Sequence, residues 1–452
     1  MNTLDGLRAG LLSPEKECSR AFNNIKEENG AFITVTEERA LAAARRSRGT
    51  PLAGLTVAVK DNICIKDVPM TCASRMLDGF IPPYTATAVS LLEEAGAAVT
   101  GKTNLDEFAM GSTGLLSAFK PVRNPLVPDR IPGGSSSGSA AAAAEGACEA
   151  ALGSDTGGSV RIPAAFCGVV GLKPTYGAVG RHGLTAFASS LDTVGIIARD
   201  VKTVAAIADV ICRPDENDMT SVAVPFSGDF EKICETPLAP VRFFIPNEAE
   251  EYAEARAARE LLGARDTSFT GGALGFLDDA RTAYEIISCV EAASDLARYD
   301  GIRYGISARA ESVDMLYKKS RSLGFGREVK ERIMRGIYYM TGGRRNEYYD
   351  SAVSARREIC KKMCGFLSSG VLMITPTAPF PAPRVNDGIN GIYTDKFTVP
   401  ANLAGLPAIS VPIKLDGEVL GIQITGGRGR DADVLHAALA LERRIREAGY
   451  EV

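Results

Sequence analysis

Apolar residues along this chain recur with two periods, and the switches between them mark out its elements. LTVAVK (55–60) is short, apolar and rich in β-branched residues, which predicts a buried strand that ends on a lysine. TATAVSLLEEAGA (85–97) gathers its apolar side chains on one helical face and runs straight into the strand-like AVTGK (98–102), so strand, helix and strand follow as one unit of a wound sheet. EERALAAARRSR (37–48) has the composition of an exposed helix. Farther on, VRFFIP (241–246) predicts a strand, Asp279 to Arg298 a helix, and 325–365 helix broken near Thr341, Gly342 and Gly343. AISVPIKLDGEVLGIQIT folds back on Asp416-Gly417 as a hairpin, and DADVLHAALALERRIREAG closes as an amphipathic helix. No repeat or low-complexity tail interrupts this alternation, and the class it predicts is α/β.

Between 133 and 183 the texture changes to glycines and serines interleaved with the apolar blocks AAAAEGACEAAL and AAFCGVVGL. Flexible Gly/Ser linkers lack such blocks, so this segment reads as packed core carrying ordered loops. With 452 residues the chain is long enough to bury a large core.

Lys and Arg total 51 against 55 for Asp and Glu, a net charge of −4, which excludes a surface that binds nucleic acid by bulk charge. The ten cysteines form no CxxC pair and read as reduced, mostly buried thiols; with only His182 and His436 to join them, no metal site is expected. No run approaches the ~18 apolar residues of a membrane span, and with free thiols this places the protein in the cytoplasm.

Two Ser/Gly loops are the candidates for chemistry. GGSSSGS (133–139) precedes a helix but has neither the lysine of a phosphate-binding loop nor a GxGxxG frame. GSDTGGS (153–159) offers consecutive small residues whose N–H groups can converge on one point, as an oxyanion requires, and Ser159 stands where a nucleophile would. A serine needs a base. His436 lies in a regular helix, His182 in a loop, and a desolvated lysine is the chemical substitute; from physics alone Lys60, Lys102 and Lys173 all qualify.

The strings PLAGLTVAVKDNI (51–63), GKTNLDEFAMGS (101–112), PGGSSSGSAAA (132–142), ALGSDTGGSVRIPAAFCGVVGLKPTYG (151–177) and FASSLD (187–192) resemble the amidase signature family. The resemblance implies one amidase domain over 1–452, with a signature core at 51–200 and a central twisted mixed sheet flanked by helices on both faces. It implies a triad of Lys60, a cis Ser135 and the nucleophile Ser159, with the N–H groups of Thr156, Gly157 and Gly158, and of Ser159 itself, as the oxyanion hole.

Within that family LARYDGIRYG (296–305), GFGREVKERIM (324–334) and TVPANLAGLPAISVP (398–412) are similar to the glutamine-hydrolysing subunits of tRNA-dependent amidotransferases. That likeness implies that Arg332 binds the α-carboxylate of glutamine and Asp395 its α-amino group, with Tyr304 lining the pocket. It implies no cofactor in this chain, a B subunit that binds tRNA and uses ATP and Mg2+, and a small C subunit. Contact with tRNA would be indirect, through the complex. Without the likeness, Arg332 reads as a solvated helix charge and Asp395 as a loop cap. A stand-alone amidase acting on another small amide is the alternative, and an inactive scaffold a third reading, against which the intact Lys60, Ser135 and Ser159 stand. Ser137 and Ile162 replace the usual Gly and Gln beside the active loops, and Arg344-Arg345-Asn346 replaces a usual Tyr-Tyr-Asp.

Overall fold

The computed structural model describes residues 2–222, 229–236, 241–263, 267–367, 370–387 and 394–452. Its strands are β1 (Phe32–Val35), β2 (Thr56–Lys60), β3 (Ala98–Thr103), β4 (Ala150–Asp155), β5 (Val170–Lys173), β6 (Thr193–Ala198), β7 (Val241–Pro246), β8 (Thr267–Gly272), β9 (Val371–Pro376), β10 (Ala408–Leu415) and β11 (Glu418–Thr425). They form one sheet in the order β1-β3-β2-β4-β6-β5-β10-β11-β9-β7-β8. The pairs of β2 with β3 and β4, and of β7 with β8 and β9, are parallel; the others are antiparallel. The sheet is therefore mixed and the fold α/β, as expected.

Both faces of the sheet's middle are buried, and the strands show it residue by residue. Val57, Val59, Ala150, Leu152, Ile196 and Ala198 belong to the main core with the helix Val201–Ile211, whereas Ala58, Ala151 and Ile197, which alternate with them, pack on the helix Ser137–Ala144. Side chains on a strand point alternately to opposite faces. A strand apolar on both faces reads as a continuous hydrophobic run, which is why TVAVK has no polar alternation.

The helix Ser137–Ala144 is alanine from Ala140 onward, and every residue through Ala143 is buried. Small side chains let it lie close against the sheet, and that closeness holds the preceding serines over the ends of β2 and β4. The nine described cysteines are unpaired; seven are buried, Cys360 is partly so and Cys364 is exposed. Among the described residues no helix is long and apolar enough to cross a membrane.

Candidate functional site

Because β2 and β4 are parallel neighbours, the chain leaves both at the same end of the sheet. Lys60 is the last residue of β2, and the loop carrying Ser159 follows Asp155, the last residue of β4. The peptide Gly134–Ser135 is cis, and Ser136 N–H donates to Ser159 O at 3.0 Å, so the two serine loops lie edge to edge. From the other side Asp106 N–H donates to Ser135 O, and the Asp106 carboxylate accepts from the N–H groups of Thr113, Gly114 and Leu116. A Cβ on Gly134 would collide with Asp106 Oδ2, so only glycine lets that carboxylate pass so close.

Lys60 Nζ is wholly buried and stands 2.8 Å from Ser135 Oγ, 2.9 Å from Ser136 Oγ and 2.9 Å from Ser154 Oγ. Burial pulls its pKa down to about 7 against the opposing pull of the Asp106, Asp155 and Asp192 carboxylates. A lysine in that range is neutral for part of its time near neutrality and can then accept a proton.

Geometry separates the three candidate lysines. Burial also brings Lys173 to about 7, but its Nζ donates to the carbonyl of Pro174. Lys102 is locked in a fully buried ion pair with Asp61 at 2.8 Å. Lys60 is the one in contact with the serines. His182 stacks on Tyr84 and meets Thr87 Oγ1, and His436 meets the carbonyl of Thr236; neither joins this cluster.

Asp155 anchors the loop that carries Ser159. Its carboxylate accepts from the N–H groups of Gly158 (2.9 Å) and Val160 (3.2 Å), from Arg161 Nε and Nη2, and from Asn402 Nδ2. Burial alone would raise its pKa, yet the Arg161 guanidinium holds it well below the usual carboxylate range. Because the Gly158 N–H is spent on Asp155, the expectation that it faces the oxyanion is corrected. Thr156 donates its hydroxyl to Asp192 Oδ1 at 2.6 Å.

Beside Ser159 lies a cavity of about 60 Å³ whose lining also includes Gly134, Gly157 and Gly158 together with Arg332 and Asp395. The structure thus brings together residues separated by more than two hundred positions in the chain. Arg332 Nε donates to Glu328 Oε1 at 2.8 Å, and its guanidinium lies over the Phe187 ring. Asp395 is half-buried as a residue, but desolvation of its carboxyl raises its pKa, and its Oδ1, shut off from solvent, has no hydrogen-bond partner among the described residues. A buried carboxylate oxygen left unsatisfied is costly, so one lining a cavity is a ready acceptor for a ligand's donor.

Tyr304 is not in this lining. It packs against Phe80 and Tyr299, at ring-centre distances of 5.9 and 5.7 Å, in an aromatic cluster of its own. The wall residue missed by sequence reasoning is Tyr284, with Gly111, Ser112 and Phe187. Ile162, one of the departures, also lines the cavity, whereas Ser137 is buried at the start of its helix.

An α/β chain with a buried lysine against two serine loops is an amidase in its architecture, and the comparison of families agrees. The Amidase family model matches residues 16–435, and the chain belongs to that family of amidohydrolases. It is 44% identical, over 92% of its length and 91% of the relative's, to the A subunit of glutamyl-tRNA(Gln) amidotransferase of Synechococcus sp. (strain RCC307). Among solved structures it resembles the A subunit of glutamyl-tRNA(Gln) amidotransferase from Thermotoga maritima, with a TM-score of 0.77 and 37% identity covering 95% of this chain and 91% of that one. It also resembles the peptide amidase from Stenotrophomonas maltophilia, with a TM-score of 0.84 and 26% identity covering 98% and 96%.

Proposed function

We propose that this chain is the glutaminase subunit of a cytoplasmic tRNA-dependent amidotransferase, releasing ammonia for the conversion of Glu-tRNA(Gln) to Gln-tRNA(Gln). The observation that carries the reading is the cavity that brings Arg332 and Asp395, whose Oδ1 has no partner among the described residues, to Ser159. An amino-acid amide presents opposite charges at one end and its carboxamide at the other. A guanidinium fork suits the carboxylate, and a buried carboxylate suits the ammonium.

The contact of Lys60 Nζ with Ser135 Oγ supports the following chemistry. Ser159 Oγ attacks the carboxamide carbon and gives its proton to Ser135 Oγ, whose own proton passes to neutral Lys60 Nζ. The N–H groups of Thr156, Gly157 and Ser159 take the developing oxyanion. The proton returns through Ser135 to the leaving nitrogen, ammonia departs, and the γ-glutamyl ester of Ser159 remains. Water, deprotonated by the same relay, hydrolyses it to glutamate. The neutral amine has two N–H bonds to give to Ser136 and Ser154, which leaves its lone pair for Ser135.

Partner subunits supply the rest on this reading: one that binds tRNA and uses ATP with Mg2+ to activate the glutamyl ester, and a small one that completes a heterotrimer, the whole of this chain acting as a single amidase domain. The relatives' names support the assembly, and the chain's own mild acidity fits delegated tRNA binding.

The test is specificity, measured on the complex copurified from the native host. Arg332→Ala and Asp395→Ala are each expected to weaken transition-state stabilisation for glutamine by ~1.5–3 kcal/mol, seen in kcat/KM, while a neutral amide of similar size is unaffected. Preference of the wild-type complex for the neutral amide, with both variants unimpaired on glutamine, would hand the site to the stand-alone amidase reading.

A further inference from the structure

The segment that carries Asp395 does not merely pass by the nucleophile loop; it is fastened to it through one buried hydroxyl. Thr398 is fully buried, and its Oγ1 donates to the carbonyl of Gly157 at 2.6 Å. Its N–H donates to Asp395 O at 3.2 Å, and Val399 N–H reaches the same carbonyl at 3.1 Å. Its own carbonyl accepts from Arg161 Nη1 at 3.1 Å, and Arg161 is the residue that braces Asp155 beneath the nucleophile loop. Gly158 stands so close that a Cβ there would collide with Thr398 Oγ1.

Gly157 is the residue whose N–H, with those of Thr156 and Ser159, is assigned to the oxyanion. Its carbonyl is a handle on the Gly157–Gly158 peptide, whose own N–H goes to Asp155 and which links the Gly157 donor to the Ser159 donor. Thr398 holds that handle at one end and the turn bearing Asp395 at the other. A substrate ammonium drawn to Asp395 Oδ1 therefore pulls on the same turn that sets the Gly157 peptide.

We infer that Thr398 is a positioning residue that couples recognition of the substrate's α-ammonium at Asp395 to the orientation of the oxyanion loop, so that the two ends of an amino-acid amide are read together. This rests on the glutaminase reading of the cavity. It makes Asp395 contribute to turnover and not only to binding, and it gives neutral amides no means of drawing the loop into place.

The experiment is a double-mutant cycle on the native complex, with glutamine as substrate and kcat and KM measured separately. Thr398→Val keeps the shape and removes the hydroxyl; kcat is expected to fall by roughly tenfold to a hundredfold, since small misplacements of catalytic groups cost that much. Thr398→Ser restores the hydroxyl and is expected to recover most of the rate. Asp395→Asn is expected to lower kcat as well as raise KM in the wild-type background, and to lower kcat no further in the Thr398→Val background. Wild-type kcat in Thr398→Val, or equal losses in Val and Ser variants, would overturn the coupling. An Asp395→Asn enzyme with raised KM and unchanged kcat would overturn it too, and that measurement stands even if Thr398→Val does not fold. A wild-type complex that leaves glutamine intact is a different failure, of the glutaminase reading beneath.

Discussion

Lys60 and Lys173 are both wholly buried and both brought by burial to a pKa of about 7, yet only Lys60 has serines to serve. Acting as a base requires the unprotonated amine, so activity is expected to be lost as pH falls through about 7 and to level off above it. Lys60→Ala is expected to lower kcat by about 10²–10⁴. Lys173→Met is expected to keep the midpoint of the pH–rate profile where it is, and a shift in that variant would move the base assignment away from Lys60. Lys102 gives a third outcome: Lys102→Ala leaves the Asp61 carboxylate buried without its cation, which costs ~3–5 kcal/mol of stability, read from the denaturant midpoint. Three lysines that physics alone left equal in the sequence, where only the family resemblance singled out Lys60, are thus separated by what each one touches. Physical reasoning on the local pattern could not rank them, because the partners lie 41 and 75 residues away or in the next peptide.

At the scale of elements, the sequence was most legible where the pattern is local. VRFFIP is β7 to the residue, and the hairpin at Asp416-Gly417 falls between β10 and β11. The helix expected from Asp279 to Arg298 runs from Leu277 to Asp295 and finishes in a 3-10 turn, and the break near Thr341 separates Arg327–Met340 from Ser351–Phe366. The pocket wall was less legible. Tyr304 and Tyr284 are both aromatic residues among helical segments, and what distinguishes them is tertiary: the Leu277–Asp295 helix lays Tyr284 against Gly157, where an added Cβ would fall 2.5 Å from the ring. Gly158 makes the same point with a consequence. Its φ is +137°, and a Cβ would meet both Thr398 and Ile162. Gly158→Ala is expected to distort the nucleophile loop and lower kcat severely while thermal unfolding shows a folded protein; wild-type kcat would show that the loop does not need that backbone.

Across the whole molecule the site is a junction of two halves of one sheet. The residues of the proposed triad lie in the part of the chain that builds β2 to β6, whereas Arg332, Asp395 and Thr398 lie beyond β7, and β5 pairs with β10 to join the two parts. Signature strings expose the first half because its loops are short and rich in glycine and serine. The second half was identified only through likeness, since an arginine on an exposed-looking helix and an aspartate in a loop have no chemistry until the fold places them beside Ser159. That arrangement makes the central claim simple to test: ammonia release from glutamine by the native complex carrying Ser159→Ala. The account predicts a folded, assembled complex whose turnover has dropped by roughly a thousandfold or more, the scale on which removal of a serine nucleophile acts. Turnover close to wild type, with contaminating amidase excluded, would contradict it.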